Sequence, residues 1–192
     1  DTYNFGNGVI VKGISNAFNV VLVKYNSSGT TQWGRTVIAG SSDSVFFSVS
    51  AASDGSVYAA GRIFGTGIYD FGNIAIAKGT SNLQNFVLIK YNSYGTAQWA
   101  KTVTAGSNDS MFFSVSAASD GSVYAAGYIS GTDTYDFGNG VTAKSTYTNR
   151  NIVLAKYNSS GLTQWAKTVT EGSNNSWYSG VSAASDGSVY AA

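Results

Sequence analysis

An all-β fold assembled from repeated four-stranded antiparallel sheets is predicted by three features of this 192-residue sequence. The first is exact internal repetition. The run Ala51-Ala52-Ser53-Asp54-Gly55-Ser56-Val57-Tyr58-Ala59-Ala60 returns unchanged as Ala117 to Ala126 and as Ala183 to Ala192, so Asp54, Asp120 and Asp186 stand 66 residues apart. The second is turn chemistry. Each copy places Ser-Asp-Gly-Ser between short β-prone runs, which reads as a hairpin closed by a tight Asp-Gly turn whose two residues accept positive φ at low cost. The third is composition: Ser, Thr, Asn, Ala and Val dominate, with 23 Gly, 13 Tyr and no Pro, and helix-period segments are missing. Four short strands per period describe a β-propeller blade better than a sandwich, because no sandwich needs one identical sheet repeated along the chain.

The elements follow in order within each period. Asp1-Thr2-Tyr3-Asn4-Phe5-Gly6-Asn7 returns as Gly67 to Asn73 and as Asp133 to Asn139. Its Tyr-Asp-Phe-Gly-Asn core reads as a turn that packs its aromatics and caps backbone N–H groups with its acid. Next come Val9-Ile10-Val11-Lys12, Ala75-Ile76-Ala77-Lys78 and Val141-Thr142-Ala143-Lys144. Alternation ending in a lysine suits a small edge strand, since the charge discourages further pairing. After a variable loop, Asn19 to Tyr25 runs through Asn26-Ser27-Ser28-Gly29 into Thr31 to Val37, a second hairpin, with copies over 86–103 and 152–169. Trp33, Trp99 and Trp165 are equivalent and read as packing residues between neighbouring sheets. A polar connection over 39–44 then leads into the strand before the opening hairpin. The four principal strands of one unit are therefore expected at about 45–52, 57–64, 85–91 and 97–103. The period exceeds the ~40–50 residues of familiar propeller repeats, and the excess lies in the excursion from Gly65 to Gln84.

These residues resemble a known family, the bacterial β-propeller proteins of the seven-bladed-propeller repeat type. The likeness lies in Asp-Phe-Gly-Asn, in Ala155-Lys156-Tyr157-Asn158-Ser159-Ser160-Gly161 leading to Gln164-Trp165-Ala166-Lys167-Thr168, and in Ser-Asp-Gly-Ser-Val-Tyr-Ala-Ala-Gly. It covers essentially the whole chain. What the resemblance implies is a single propeller domain over 1–192, with repeats at about 1–66, 67–132 and 133–192, and a secreted or surface-anchored scaffold without a shared catalytic motif. Family repeats usually carry a bulky alternating strand before the hairpin turn, where this chain has Ala51-Ala52-Ser53.

Composition narrows the function. Eleven basic against ten acidic residues leave no field favouring nucleic acid. No apolar run approaches the ~20 residues that cross a bilayer, so membrane insertion is not expected. Absence of Cys removes disulfides, thiolate nucleophiles and Cys-based zinc or iron–sulfur sites, and absence of His removes the commonest general base and metal ligand. The single Glu, Glu171, replaces Ala39 and Ala105 of the other repeats and forms no repeated acid pair. Asp and Asn recur in loops without the spacing of an EF-hand or of the Gly-rich calcium nonapeptides. The expectation is a non-enzymatic protein without cofactor or metal, located outside the cell or on its surface, binding a ligand of which carbohydrate is the leading class.

In a propeller the connections between second and third strands, and between successive units, emerge on one face. That face would carry Tyr69-Asp70, Tyr3-Asn4 and Tyr135-Asp136, the variable loops 13–18, 79–84 and 145–150, and Asp43, Asp109 and Asn175. Recognition usually sits on loops held by a rigid frame. Aromatic rings beside carboxylates and amides suit sugars, which offer apolar faces and hydroxyls. Phe18, Gln84 and Arg150 are equivalent, as are Val45, Met111 and Trp177.

The chain holds the last two strands of one unit, two whole units and the first two strands of another. An unpaired hairpin exposes strand edges. Closing three units within one chain demands blade angles of about 120°, outside the usual 4–8 blades. Two readings of the partner remain. Two chains exchange halves as a homodimer of six blades, or further repeats of a longer chain complete the halves.

Overall fold

The computed structural model describes residues 1–192 and contains no helix. The chain opens with β1 (Thr2–Asn4) and β2 (Ile10–Lys12), an antiparallel hairpin, followed by a second pair, β3 (Leu22–Tyr25) and β4 (Thr31–Arg35). The first complete unit has β5 (Ser44–Ala51) and β6 (Val57–Phe64), then the short hairpin β7 (Ile68–Asp70) and β8 (Ile76–Lys78), then β9 (Gln84–Tyr91) and β10 (Ala97–Lys101). The second repeats it with β11 (Ser110–Ala117), β12 (Val123–Ser130), β13 (Thr134–Asp136), β14 (Thr142–Lys144), β15 (Arg150–Tyr157) and β16 (Thr163–Thr168). A last pair, β17 (Val181–Ala183) and β18 (Val189–Ala191), ends the chain.

Two four-stranded antiparallel sheets result: sheet I, ordered β5-β6-β9-β10, and sheet II, ordered β11-β12-β15-β16. The four strands expected per unit lie where the spacing places them. The short inserted hairpins are the correction. Residues 68–70 and 134–136, read from sequence as part of a turn, are strands paired with 76–78 and 142–144. Three residues are too few for a period-2 pattern to declare itself, so Tyr-Asp-Phe-Gly-Asn was legible only as a turn.

The Asp-Gly turn is also more specific than its sequence signature. Ala52 and Ser56 close a three-residue loop in which Gly55 alone has positive φ, at 79°, while the Asp54 carboxylate accepts the Ser56 N–H at 2.8 Å. This is a turn followed by one left-handed glycine. The Ser56 hydroxyl and N–H on that carboxylate hold Asp54 below the usual carboxylate range, and Asp120 and Asp186 are held down in the same way.

Strand β12 is buried at all eight positions and β6 at five of eight. Both faces of a second strand are covered, because successive sheets stack against it from either side. Tyr58, Ala60, Phe86 and Leu88 of sheet I meet Phe112, Val123, Ala125, Val153 and Tyr157 of sheet II in one core; Ala59, Ile63, Val87 and Ile89 meet Val20, Leu22 and Val37 in the other. Each large apolar side chain so covered contributes roughly 1.5–3 kcal/mol. Ala59-Ala60 and Ala125-Ala126 sit at the centre of these strands, where small side chains let the sheets approach.

The junctions repeat. Ser48 and Ser50 hydroxyls accept the Val115 and Ala117 N–H groups at 3.2 and 3.0 Å, and Ser114 and Ser116 accept those of Val181 and Ala183 at 3.1 and 3.0 Å. Trp33 and Trp99 donate their indole N–H groups to the Ser93 and Ser159 carbonyls, each at 3.1 Å. The tryptophans bridge neighbouring sheets as their spacing predicts.

Candidate functional site

The end of the molecule bearing the second-to-third-strand excursions and the connections between units carries every residue singled out from sequence. The tyrosines are structural. Tyr69 and Tyr135 are completely buried, and their hydroxyls donate to the Phe64 and Ser130 carbonyls at 2.8 and 2.7 Å. Burial pushes both phenols above their ordinary pKa. A Cβ on Gly40 or Gly106 would come within 2.7 or 2.5 Å of these rings, so the glycine backbone lies directly upon them. Neither ring offers a face to a sugar, which corrects their placement among ligand-facing residues. Tyr3, the equivalent in the first hairpin, is 50% exposed because no preceding connection lies over it.

The acids of these hairpins are turned inward in hydrogen-bonding terms. Asp70, Asp136 and Asn4 accept the N–H groups of Gly72, Gly138 and Gly6 at 2.8, 2.7 and 2.9 Å. Backbone groups of Asp70 and Asp136 also bridge to Ala39 and Ala105 of the preceding connections. Asp133 accepts the Ser107 N–H and hydroxyl and the Asn108 amide, and Ser107 above all keeps its carboxyl below the usual range.

Asp43, Asp109 and Asn175 form a latch at each junction. Their side-chain oxygens accept the N–H groups of Phe18, Gln84 and Arg150 at 3.1, 2.9 and 3.1 Å. The next residue continues it: Ser44, Ser110 and Ser176 hydroxyls accept the Val20, Phe86 and Ile152 N–H groups at 3.1, 3.1 and 3.2 Å. The dipeptide thus fastens the entrance of one unit's third strand to the first strand of the next. No family model matches the chain, and no curated protein matches it. The site is therefore read from its own geometry.

Two sets of residues in this frame were not singled out from sequence. Besides the latch serines, Asn19, Asn85 and Asn151 organise the variable loops. The Asn85 side-chain oxygen accepts the Thr80 and Ser81 N–H groups, each at 2.9 Å, while its amide donates to the Gly65 and Ser81 carbonyls at 3.1 and 3.0 Å. Asn151 holds Tyr147 and Asn149 in the same manner, and Asn19 holds residues 14–17. Their identity in all three repeats, beside a run in which every position changes, was the available signal.

The tips of the variable loops face solvent at 16–18, 82–83 and 148–149, while Ser81 is buried. Residues 14–18, 80–84 and 146–150 differ among repeats more densely than any other run, and 177–180 depart from their counterparts at 45–48. The latch holds these two segments together, for Arg150 N–H meets Asn175 while the Ser176 N–H donates to the Arg150 carbonyl at 3.0 Å. Phe18 is 70% and Trp177 47% exposed. The Arg150 guanidinium lies 4.6 Å from the centre of the Tyr128 ring. No three acidic side chains converge here. The face can supply aromatic surfaces, amides and one guanidinium.

Proposed function

We propose that this chain is a non-enzymatic β-propeller scaffold of the cell surface or extracellular space, of the repeat type it resembles, and that it binds carbohydrate through its loop-rich face. One observation carries the reading: the most variable run of the repeat, 14–18, 80–84 and 146–150, is anchored by an equivalent hydrogen-bonded latch in every unit, and its tips at 16–18, 82–83 and 148–149 are exposed to solvent. A frame preserved beneath changing tips is the arrangement by which rigid scaffolds display recognition loops. The propeller reading is supported by four-stranded sheets that stack face to face through repeated hydrogen bonds and shared cores.

Carbohydrate is favoured by the chemistry of the tips. Exposed aromatic rings at Phe18 and Trp177 give faces for apolar sugar surfaces, and amides and Arg150 give donors for hydroxyls. With Tyr69 and Tyr135 buried, contact with the ligand falls to the exposed Tyr3 and to these tips, while Asp43, Asp109 and Asn175 serve as the frame. A glycan array probed with the chain is expected to give saturable binding that falls at least about tenfold in Trp177→Ala or Phe18→Ala, the effect of losing one stacked ring of about 1.4 kcal/mol. Absence of binding to every glycan, or binding untouched by both substitutions, would reject the reading.

A further inference from the structure

The latch between sheet II and the β17–β18 pair differs from the other two in charge. Phe18, Gln84 and Arg150 share one position of the repeat, and Asp43, Asp109 and Asn175 share the position whose side-chain oxygen accepts their N–H groups. A cation stands where the other latches have an aromatic ring and an amide, and at that same latch the carboxylate has become an amide. An arginine that served only the junction would gain from the neighbouring acid, and here the acid is gone. No other acid pairs with Arg150. The two ion pairs of the molecule are Lys90 with Asp54 and Lys156 with Asp120, at 3.8 and 3.5 Å. Glu171, the one acid of the connection before the latch, is exposed and forms no ion pair. Asp109 and Arg62, which act with Arg150 on the Tyr128 hydroxyl, carry opposite charges and offset one another. Arg150 is left as surplus positive charge on the loop-rich face.

The side chain is also held in place. Its guanidinium carbon lies 4.6 Å from the centre of the Tyr128 ring, which is wholly buried and has the Phe113 ring 5.8 Å away on centroids. The Tyr128 hydroxyl beneath is buried without a hydrogen-bond partner. A guanidinium lying over an aromatic face keeps its N–H edge for other acceptors. Arg35 shows the contrast, since its N–H groups go to the Gly34, Tyr94 and Gly95 carbonyls. The Arg150 side chain donates to no carbonyl or carboxylate.

We propose that the Arg150 guanidinium receives a carboxylate, so that the sugar taken by the loop-rich face is an acidic one of the uronate class. The inference deepens the carbohydrate reading and rests on it. Guanidinium and carboxylate meet as planar forks through two parallel N–H···O bonds. The Asn175 amide, whose oxygen the latch occupies, keeps its NH2 group for a sugar hydroxyl, where an aspartate would offer no donor and would repel the acid.

Calorimetric titration with oligogalacturonate, and with the same oligomer methyl-esterified at its carboxyls, separates charge from sugar. The acid form is expected to bind at least about tenfold more tightly than the ester, and to lose at least about tenfold in Arg150→Gln, the effect of one charge-assisted pair. Glutamine is native at the equivalent Gln84, so this variant keeps the fold. Asn175→Asp is the sharper variant. Its carboxylate can hold the latch as Asp109 does, while restoring the counter-charge. The thermal midpoint is expected to stand, affinity for the acid form to fall, and affinity for the ester to stay. Equal affinity for acid and ester, or acid-form affinity unmoved by both substitutions, would overturn the inference and leave the carbohydrate reading intact. So would binding confined to neutral glycans on an array, or tighter binding of a sulfated oligomer than of the carboxylated one. Absence of binding to every glycan would overturn both.

Discussion

Ile74 breaks a rule that its two counterparts obey. It has φ of 61° and is 90% exposed, in the turn where Gly8 and Gly140 stand at 74° and 73°. A β-branched residue in left-handed geometry is disfavoured by about 1–2 kcal/mol, and exposure leaves it little packing to offset that. Ile74→Gly is expected to stabilise the fold by about 1 kcal/mol, read as a raised midpoint of thermal unfolding; a lowered midpoint would show that the side chain contributes. Elsewhere residues compensate in pairs. A Cβ on Gly34 would lie 2.6 Å from Val11, while the equivalent pairs are Ala100 with Ala77 and Ala166 with Ala143. Close packing makes each member of such a pair conditional on the other.

Among elements, the variable loops depend most on one side chain. Asn85 is wholly buried and bonds backbone groups of Gly65, Thr80 and Ser81. Asn85→Ala strands these groups without partners, at about 1–3 kcal/mol each when buried. A loss of about 3 kcal/mol is expected by denaturant titration, with a smaller loss for Asn19→Ala, whose loop is more exposed. Equal, negligible losses would mean that the loops hold themselves. Strand β17 shows how an element follows its partner. Its counterparts begin at Ser44 and Ser110, but residues 176–180 form no strand. Ser44 to Phe46 pair with Ile63 to Gly61, whereas in the last unit only Val181 to Ala183 find partners, in Ala191 to Val189. Identical turns therefore coexist with unequal strands.

At the scale of the whole molecule, stacking places phenols in the cores between sheets. Burial, with the Asp54 and Asp120 charges adding to it, pushes Tyr58 up to about 12, and burial also raises Tyr91, Tyr135 and Tyr157. The folded state favours the neutral phenol. For Tyr58 this contribution is full below its ordinary value of 10.0 and is lost as pH rises toward about 12. Alkaline titration is expected to show phenolate absorbance from the buried tyrosines appearing together with loss of circular dichroism, in one cooperative step. Phenols titrating near pH 10 in a folded chain would contradict their burial.

The repeat, the four strands of each unit, the positions of their turns and the role of the tryptophans were all legible in the residues, because turn chemistry and spacing are local properties that recur at a fixed period. Three outcomes were not. Within each excursion the alternating run that ends in lysine was legible as a small strand, but its hairpin partner at 2–4, 68–70 and 134–136 has too few residues to display alternation. The tyrosines of Tyr-Asp-Phe-Gly-Asn carry the same sequence signature as a ligand-stacking ring, and only the glycine backbone of a connection some 30 residues earlier, laid across Tyr69 and Tyr135, makes them core. The latch residues Asp43, Asp109 and Asn175 likewise look free in sequence, while their partners lie 25 residues back across a junction between sheets. Burial and hydrogen-bond saturation depend on what the neighbouring sheet brings close, and that proximity is a property of the stack.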